Sequence, residues 1–258
     1  MGLAGRQGVL EVKQFLRSRE SVVFTMAFPV IMILLFASIF TWDITPGVSF
    51  TQYFITGMIA TGLMTVGFQS LAIQIPIERD RGVLKRLRGT PMPKWVYFAG
   101  KVVMVAAIAV VEVALLLAVS VAFFDLTLPG TAGRWLTLGW VTLLGLTACT
   151  LCGIAFSSLA RSSRGATATA TPVALVLQFI SGVFFVFTDL PTWMQRVAAL
   201  FPLKWMCQGL RSVFLPDAFA TQEPAGSWEL GKVALVLAAW CVIGLVLCVR
   251  TFRWSTDR

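Results

Sequence analysis

The stretch IERDRGVLKRLRGTP, residues 77–91, holds seven charged side chains, two glycines and a proline, with long apolar runs on both sides. A chain that is 57% hydrophobic and only 13% charged, with mean hydropathy +0.83, lies outside the range of soluble domains. Within such a chain the block is the polar connector between two membrane crossings. Working outward from it, residues 53–76 and 101–124 form the flanking apolar runs, and 22–40, 136–160, 171–188 and 231–250 form four more. Each is long enough to cross a bilayer, for which a helix needs ~20 residues. The 258 residues therefore hold about six helices and little else, a single transmembrane domain over 1–258. The first run begins too far in and lacks a small-residue cleavage site, so it is expected to be a retained helix rather than a signal peptide.

The net charge of +9 raises a nucleic-acid partner, and the placement of the basic residues removes it. With six crossings both termini share one side. That side collects Arg6, Lys13, Arg17 and Arg19, then Arg79, Arg81, Lys85, Arg86, Arg88, Lys94 and Lys101, then Arg161 and Arg164, then Arg250, Arg253 and Arg258. The other side holds Arg134, Arg196, Lys204, Arg211 and Lys232 among Asp43, Asp125, Asp189, Asp217, Glu223 and Glu229. By the positive-inside rule both termini and the 77–91 block are expected in the cytoplasm. Trp42, Trp95, Trp135, Trp193, Trp228 and Trp254 fall near the span ends, where an amphipathic ring prefers the headgroup region. Trp140 and Trp240 lie deeper, as packing residues.

Two stretches outside the spans have patterns of their own. Over Gly5–Ser21, Val9, Val12, Phe15 and Leu16 recur at helical spacing with Glu11, Lys13, Arg17 and Ser18 opposite, the pattern of a helix lying on the inner membrane surface or of a plain extension of the first span. Residues 189–216 place Trp193, Val197, Leu200 and Phe201 on one apolar face, punctuated by Pro191, Pro202 and Pro216. They are too interrupted to cross, and short helices re-entering the outer leaflet satisfy both features.

The search for chemistry returns little. There is no histidine, which removes the commonest general base and metal ligand, and no GxxxxGK[ST], so no nucleotide-binding loop. Cys149 and Cys152 form a CxxC inside an apolar span beside Gly145 and Gly153, where small residues let helices approach, and no further zinc ligands accompany them. Cys207, Cys241 and Cys248 read as packing residues. No catalytic or metal site is expected on this chain. Glu112 falls near mid-bilayer, where an ionisable group is either functional or a hydrogen-bonding contact between helices. Thr61, Thr65 and Gln69 step by four along the second span, and Gln178 with Ser181 share a face of the fifth. These six are the candidate lining of a path, or helix glue.

In the 77–91 block, Gly82 and Gly89 bracket VLKRLR. Val83, Leu84 and Leu87 make a small apolar face, and Lys85, Arg86 and Arg88 point elsewhere. With Glu78, Arg79, Asp80 and Arg81 ahead of it and Pro91 starting the next span, this is a short helix suited to a protein partner.

ERDRGVLKRLRGTPMPKWVYFAGK resembles the cytoplasmic loop of ABC type-2 exporter permeases on Glu78, Arg79, Arg81, Gly82, Leu84, Arg86, Leu87, Thr90, Pro91, Gly100 and Lys101. SGVFFVFTDLPTWMQRVAALFPLKW is similar to the same family after the fifth span, on Gly182, Phe184, Leu190, Pro191, Trp193, Phe201 and Pro202. The family's frequent central Glu in the loop is Lys85 here. The resemblance implies an all-α membrane protein of six transmembrane helices, with an N-terminal interfacial helix, a cytoplasmic coupling helix, and short re-entrant helices capping the exit. It also implies a bacterial-type plasma membrane, a second permease, identical or related, and separate ATPase subunits that hold ATP and Mg and grip the coupling helix. Lipophilic cargo, a drug, lipid or natural product, is favoured over polysaccharide because no aromatic ladder for sugars is evident. A proton-coupled carrier would show several intramembrane ionisable groups and two related halves. A scaffold subunit would show the same hydropathy without an ATPase partner.

Overall fold

The computed structural model describes residues 3–89, 93–160 and 162–251, without the side chains of residues 4, 20, 21, 24, 88 and 94. Thr90 and Pro91, together with Arg161, Arg253, Trp254 and Arg258, lie outside the described residues.

The described fold is all-α apart from one small hairpin. Helix α1 (Leu3–Arg17) is followed by α2 (Arg19–Val22), a π-helical turn at Val23–Ala27, and α3 (Phe28–Ile39). Strands β1 (Asp43–Thr45) and β2 (Val48–Ser49) pair antiparallel and turn the chain into α4 (Phe50–Met64). The Ser49 hydroxyl accepts from the Gln52 N–H at 3.2 Å, which caps α4. A second π turn, Thr65–Gln69, leads into α5 (Ser70–Asp80), then α6 (Val83–Arg88) and α7 (Lys94–Phe124). Next come α8 (Ala132–Phe156), capped by Thr131, and α9 (Ser163–Ile180), capped by Ser162. Two short helices, α10 (Thr192–Ala198) and α11 (Pro202–Phe214), precede α12 (Leu230–Thr251).

Among the described residues four helices are long and apolar enough to cross a membrane: the continuous rod Phe50–Asp80, then Trp95–Phe124, Ala132–Phe156 and Leu230–Thr251. The apolar part of the first expected span, Thr25–Ile39, is shorter, and α9 opens on the polar run Ser163–Thr171, which dilutes its hydropathy. The fifth run, expected over 171–188, is helical over Ser163–Ile180 instead. Ser162 supplies an earlier start, and Gly182 at φ +75° turns the backbone out of helix near the end. The second run extends past residue 76 to Asp80, so Glu78, Arg79 and Asp80 belong to a helix end rather than to a loop.

The α4 helix is the axis of the bundle: every residue but Thr51 and Gln52 is buried. It is covered by α3, α7, α8 and α11. In a bilayer lipid is as apolar as leucine, so such packing depends on close van der Waals fit rather than on expulsion of water. Gly153 shows the fit: a Cβ there would lie 2.6 Å from the Phe68 carbonyl oxygen, so only glycine lets α8 approach the π turn this closely.

Candidate functional site

The α5 helix ends on three consecutive side chains that each hold a different neighbour. Glu78 accepts from the Tyr97 hydroxyl at 2.8 Å and pairs with the Lys101 ammonium, both on α7. The Lys101 side chain is fully buried and also pairs with Glu11 of α1 at 2.7 Å, and Gln7 donates to the other Glu11 oxygen at 3.0 Å. The next residue, Arg79, is buried and donates to the carbonyls of Ala160 and Ser157, each at 3.3 Å, where α8 runs out of intrahelical partners. Asp80 accepts from the Ser163 N–H at 2.6 Å, and the acid sits at the positive end of α9. One turn of α5 thereby ties α1, α7, α8 and α9 together.

Gly82, at φ +71°, ends that turn and starts α6, a backbone conformation that strains any residue with a Cβ. The α6 helix hangs from this junction with Leu84 fully buried in the core of the bundle and Val83 and Leu87 half-buried. The apolar face expected to meet a partner is thus partly consumed by this chain's own packing. Arg81, Lys85 and Arg86 are exposed, so the outward face is basic. Glu11, assigned to the polar side of α1 by spacing alone, is buried because Lys101 awaits it, and α1 lies along α7.

The six candidate path residues are dispersed. Thr61 is buried on α4, but the π turn at Thr65–Gln69 inserts a five-residue step that breaks the expected common face. Gln69 donates to Thr171 of α9 at 3.3 Å. Gln178 and Ser181 are buried near the far end of α9. Glu112 is buried on α7, against Gly62 of α4.

A separate groove of about 290 Å³ runs between α4, α8, α9 and α12, lined by Met64, Phe68, Phe156, Leu177, Trp240 and Leu247 among others. Its lining is almost wholly apolar, and none of the six candidates lines it. Cys149 and Cys152 are free thiols on its wall, and the described residues contain no cluster of three or more metal-ligating side chains.

At the opposite end of the bundle lies a cluster that sequence reasoning missed. Lys204 and Arg211, expected among the outer loops, are buried together with Gln208, because α11 is inserted against α4, α8 and α12. Arg211 pairs with Glu223 at 2.6 Å and donates to the Tyr53 hydroxyl at 3.2 Å, and that hydroxyl accepts from the Phe187 N–H at 3.0 Å. Lys204 bonds Gln208, which donates to the Trp228 carbonyl at 2.8 Å. Burial lowers the Lys204 ammonium to about 8, partly opposed by Glu223. The signal was present as the spacing 204, 208, 211 on one helical face. Of the outer residues expected to dip into the membrane, Trp193 is exposed, Pro191 caps α10, Pro202 opens α11, and Phe201 stacks on Trp240 with ring centroids 6.1 Å apart.

The family model described as ABC-2 type transporter matches residues 9–215. The chain is 21% identical over 206 residues to a protein named as transport permease YvfS of Bacillus subtilis, covering 78% of this chain and 81% of that one. It is 22% identical over 177 residues to a protein of Escherichia coli named as multidrug ABC transporter permease YbhR, covering 67% of this chain but only 46% of that protein. It is 26% identical over 169 residues to the inner membrane transport permease YadH of the same bacterium, 66% of this chain and 64% of that one.

Proposed function

This chain belongs to the ABC-2 type transporter family, and on that premise we propose that it is the permease subunit of an exporter driven by separate ATPase subunits. In this reading six helices cross the membrane with both termini in the cytoplasm, α10 and α11 re-enter from the outer side, and a second permease, identical or related, completes the path. ATP and Mg reside on the ATPase subunits. The cargo is small and lipophilic, a drug, lipid or natural product, which accords with the apolar groove and with the multidrug name of one relative.

One observation carries the proposal: Glu78, Arg79 and Asp80 bond α7, the end of α8 and the start of α9 from a single turn, Lys101 extends that hold to α1, and α6 hangs directly from the turn. When nucleotide closes the ATPase dimer on α6, the displacement reaches α1, α7, α8 and α9 together, and a two-state bundle is biased by the differential contact. Residues 78–84, 86 and 87 serve this contact, joined by Thr90 and Pro91. Gly82→Pro tests it, since proline cannot adopt φ +71°. In proteoliposomes containing the chain with its copurified ATPase, the variant should insert normally and retain basal ATP hydrolysis while ATP-driven export falls to background. Export at the wild-type rate by Gly82→Pro would remove α6 from the coupling path.

A further inference from the structure

Glu112 is 1% exposed, and neither of its carboxyl oxygens has a hydrogen-bond partner among the described residues. It sits in the middle of α7, about 16 Å by helical rise beyond Lys101. The elements packed against this stretch carry no countercharge: α3, α4 and the π turn Thr65–Gln69 contain no Asp, Glu, Lys or Arg. On α8 the described charge is Arg134, at the far end, with the thiols Cys149 and Cys152 as titratable groups; on α4 the titratable group is Tyr53, engaged with Arg211; on α1 Arg6, Lys13 and Arg17 are exposed and Glu11 is engaged with Lys101. A carboxyl with no partner is costly in hydrocarbon, and an intramembrane ionisable group so placed marks a functional site.

The contact is also unusually close. A Cβ at Gly62 would lie 2.5 Å from Glu112 Oε1, so the carboxyl occupies the space that the glycine of α4 leaves open. The neighbouring Thr61 hydroxyl lacks a partner too, so the carboxyl is not acting as helix glue in this arrangement. A side chain that gains nothing polar here acquires a role if α4 and α7 have a second arrangement.

Building on the export reading, we propose that Glu112 is a proton-binding site of the transport cycle, loaded while α4 and α7 are closed and unloaded when they part. On parting, water reaches the carboxyl and takes its proton, leaving a carboxylate; on closing, the carboxylate recovers a proton from water. ATP-driven movement thereby carries a proton-linked step that makes export sensitive to pH.

Dicyclohexylcarbodiimide, which reacts with protonated carboxyls in apolar surroundings, reads the site directly. The chain in lipid nanodiscs is treated across a pH series and the adduct is located by mass spectrometry. The expected result is an adduct on Glu112 that disappears in Glu112→Gln and falls about tenfold per pH unit above its midpoint. In the complex with copurified ATPase, trapping with ATP and vanadate should change the extent of labelling, and Glu112→Gln should flatten the pH profile of export without abolishing it. No adduct at any pH, labelling indifferent to trapping, or an unchanged export pH profile in Glu112→Gln each overturns the proposal. Gly62→Ala is a second probe: it should displace the carboxyl and alter labelling in a chain that elutes normally. Failure of the export reading shows separately, as absence of ATP-dependent export in the wild type while labelling of the isolated chain stays measurable.

Discussion

Lys101 shows at the residue scale how this chain uses charge inside a greasy bundle. Its ammonium is fully buried between Glu78 and Glu11, from opposite ends of the sequence motif and the amino-terminal helix. Removing one member of such a group leaves the others buried without compensation, whereas removing the pair together costs much less. Lys101→Met should therefore lower stability by about 3–5 kcal/mol. The double variant Glu78→Gln with Lys101→Met should lose less than the sum of the single losses. Denaturant or thermal unfolding in detergent, arranged as a double-mutant cycle, measures both, and additive losses would show that the pair is not coupled. The motif itself singled out Glu78 and Lys101. The hold of Lys101 on Glu11 was not legible, because the two stand 90 residues apart and spacing informs only on neighbours along a helix.

At the scale of the element, α6 has two faces with separate duties. Leu84 points into the core, so Leu84→Ala should cost about 2–3 kcal/mol, read as a fall in unfolding temperature. Lys85 and Arg86 are exposed, so the charge reversal Lys85→Glu with Arg86→Glu should change stability by no more than about 0.5 kcal/mol. The same double reversal should abolish copurification of the ATPase, and retention of that subunit through purification would place the docking face elsewhere. The amphipathic pattern of VLKRLR was visible in the sequence, as was the bracketing glycine. Which face would be spent internally was not, because a six-residue helix carries no information about the depth of the groove it lies in. The π turn at Thr65–Gln69 teaches the same lesson: a four-residue step of Thr61, Thr65 and Gln69 promised one polar stripe, and one inserted residue rotated it apart.

For the whole molecule, a central α4 wrapped by α3, α7, α8 and α11 predicts which surfaces meet lipid. Val110 on α7 and Val242 on α12 are largely exposed, whereas Ile59 on α4 and Leu210 on α11 have no exposure. Spin labels at Val110 and Val242 in bilayers should be accessible to oxygen and shielded from a nickel chelate, while labels at Ile59 and Leu210 should be shielded from both. Nickel access at Val110 would place that helix along water instead of lipid.

The sequence by itself determined that the chain is a multi-pass membrane protein, where its long helices run, and which loop carries the family's signature. These follow from local quantities, the apolarity of twenty-residue runs and the residue types within one loop. Only the tertiary structure decided that Glu78, Arg79 and Asp80 clamp α7, α8 and α9, that Arg211 and Glu223 are buried with Tyr53, and that Glu112 stands alone against Gly62. The physical reason is that hydrocarbon makes every buried polar group costly until it finds a partner. Those partners arrive from 83 residues away for Asp80 and 158 for Arg211, through helix packing that no local pattern encodes.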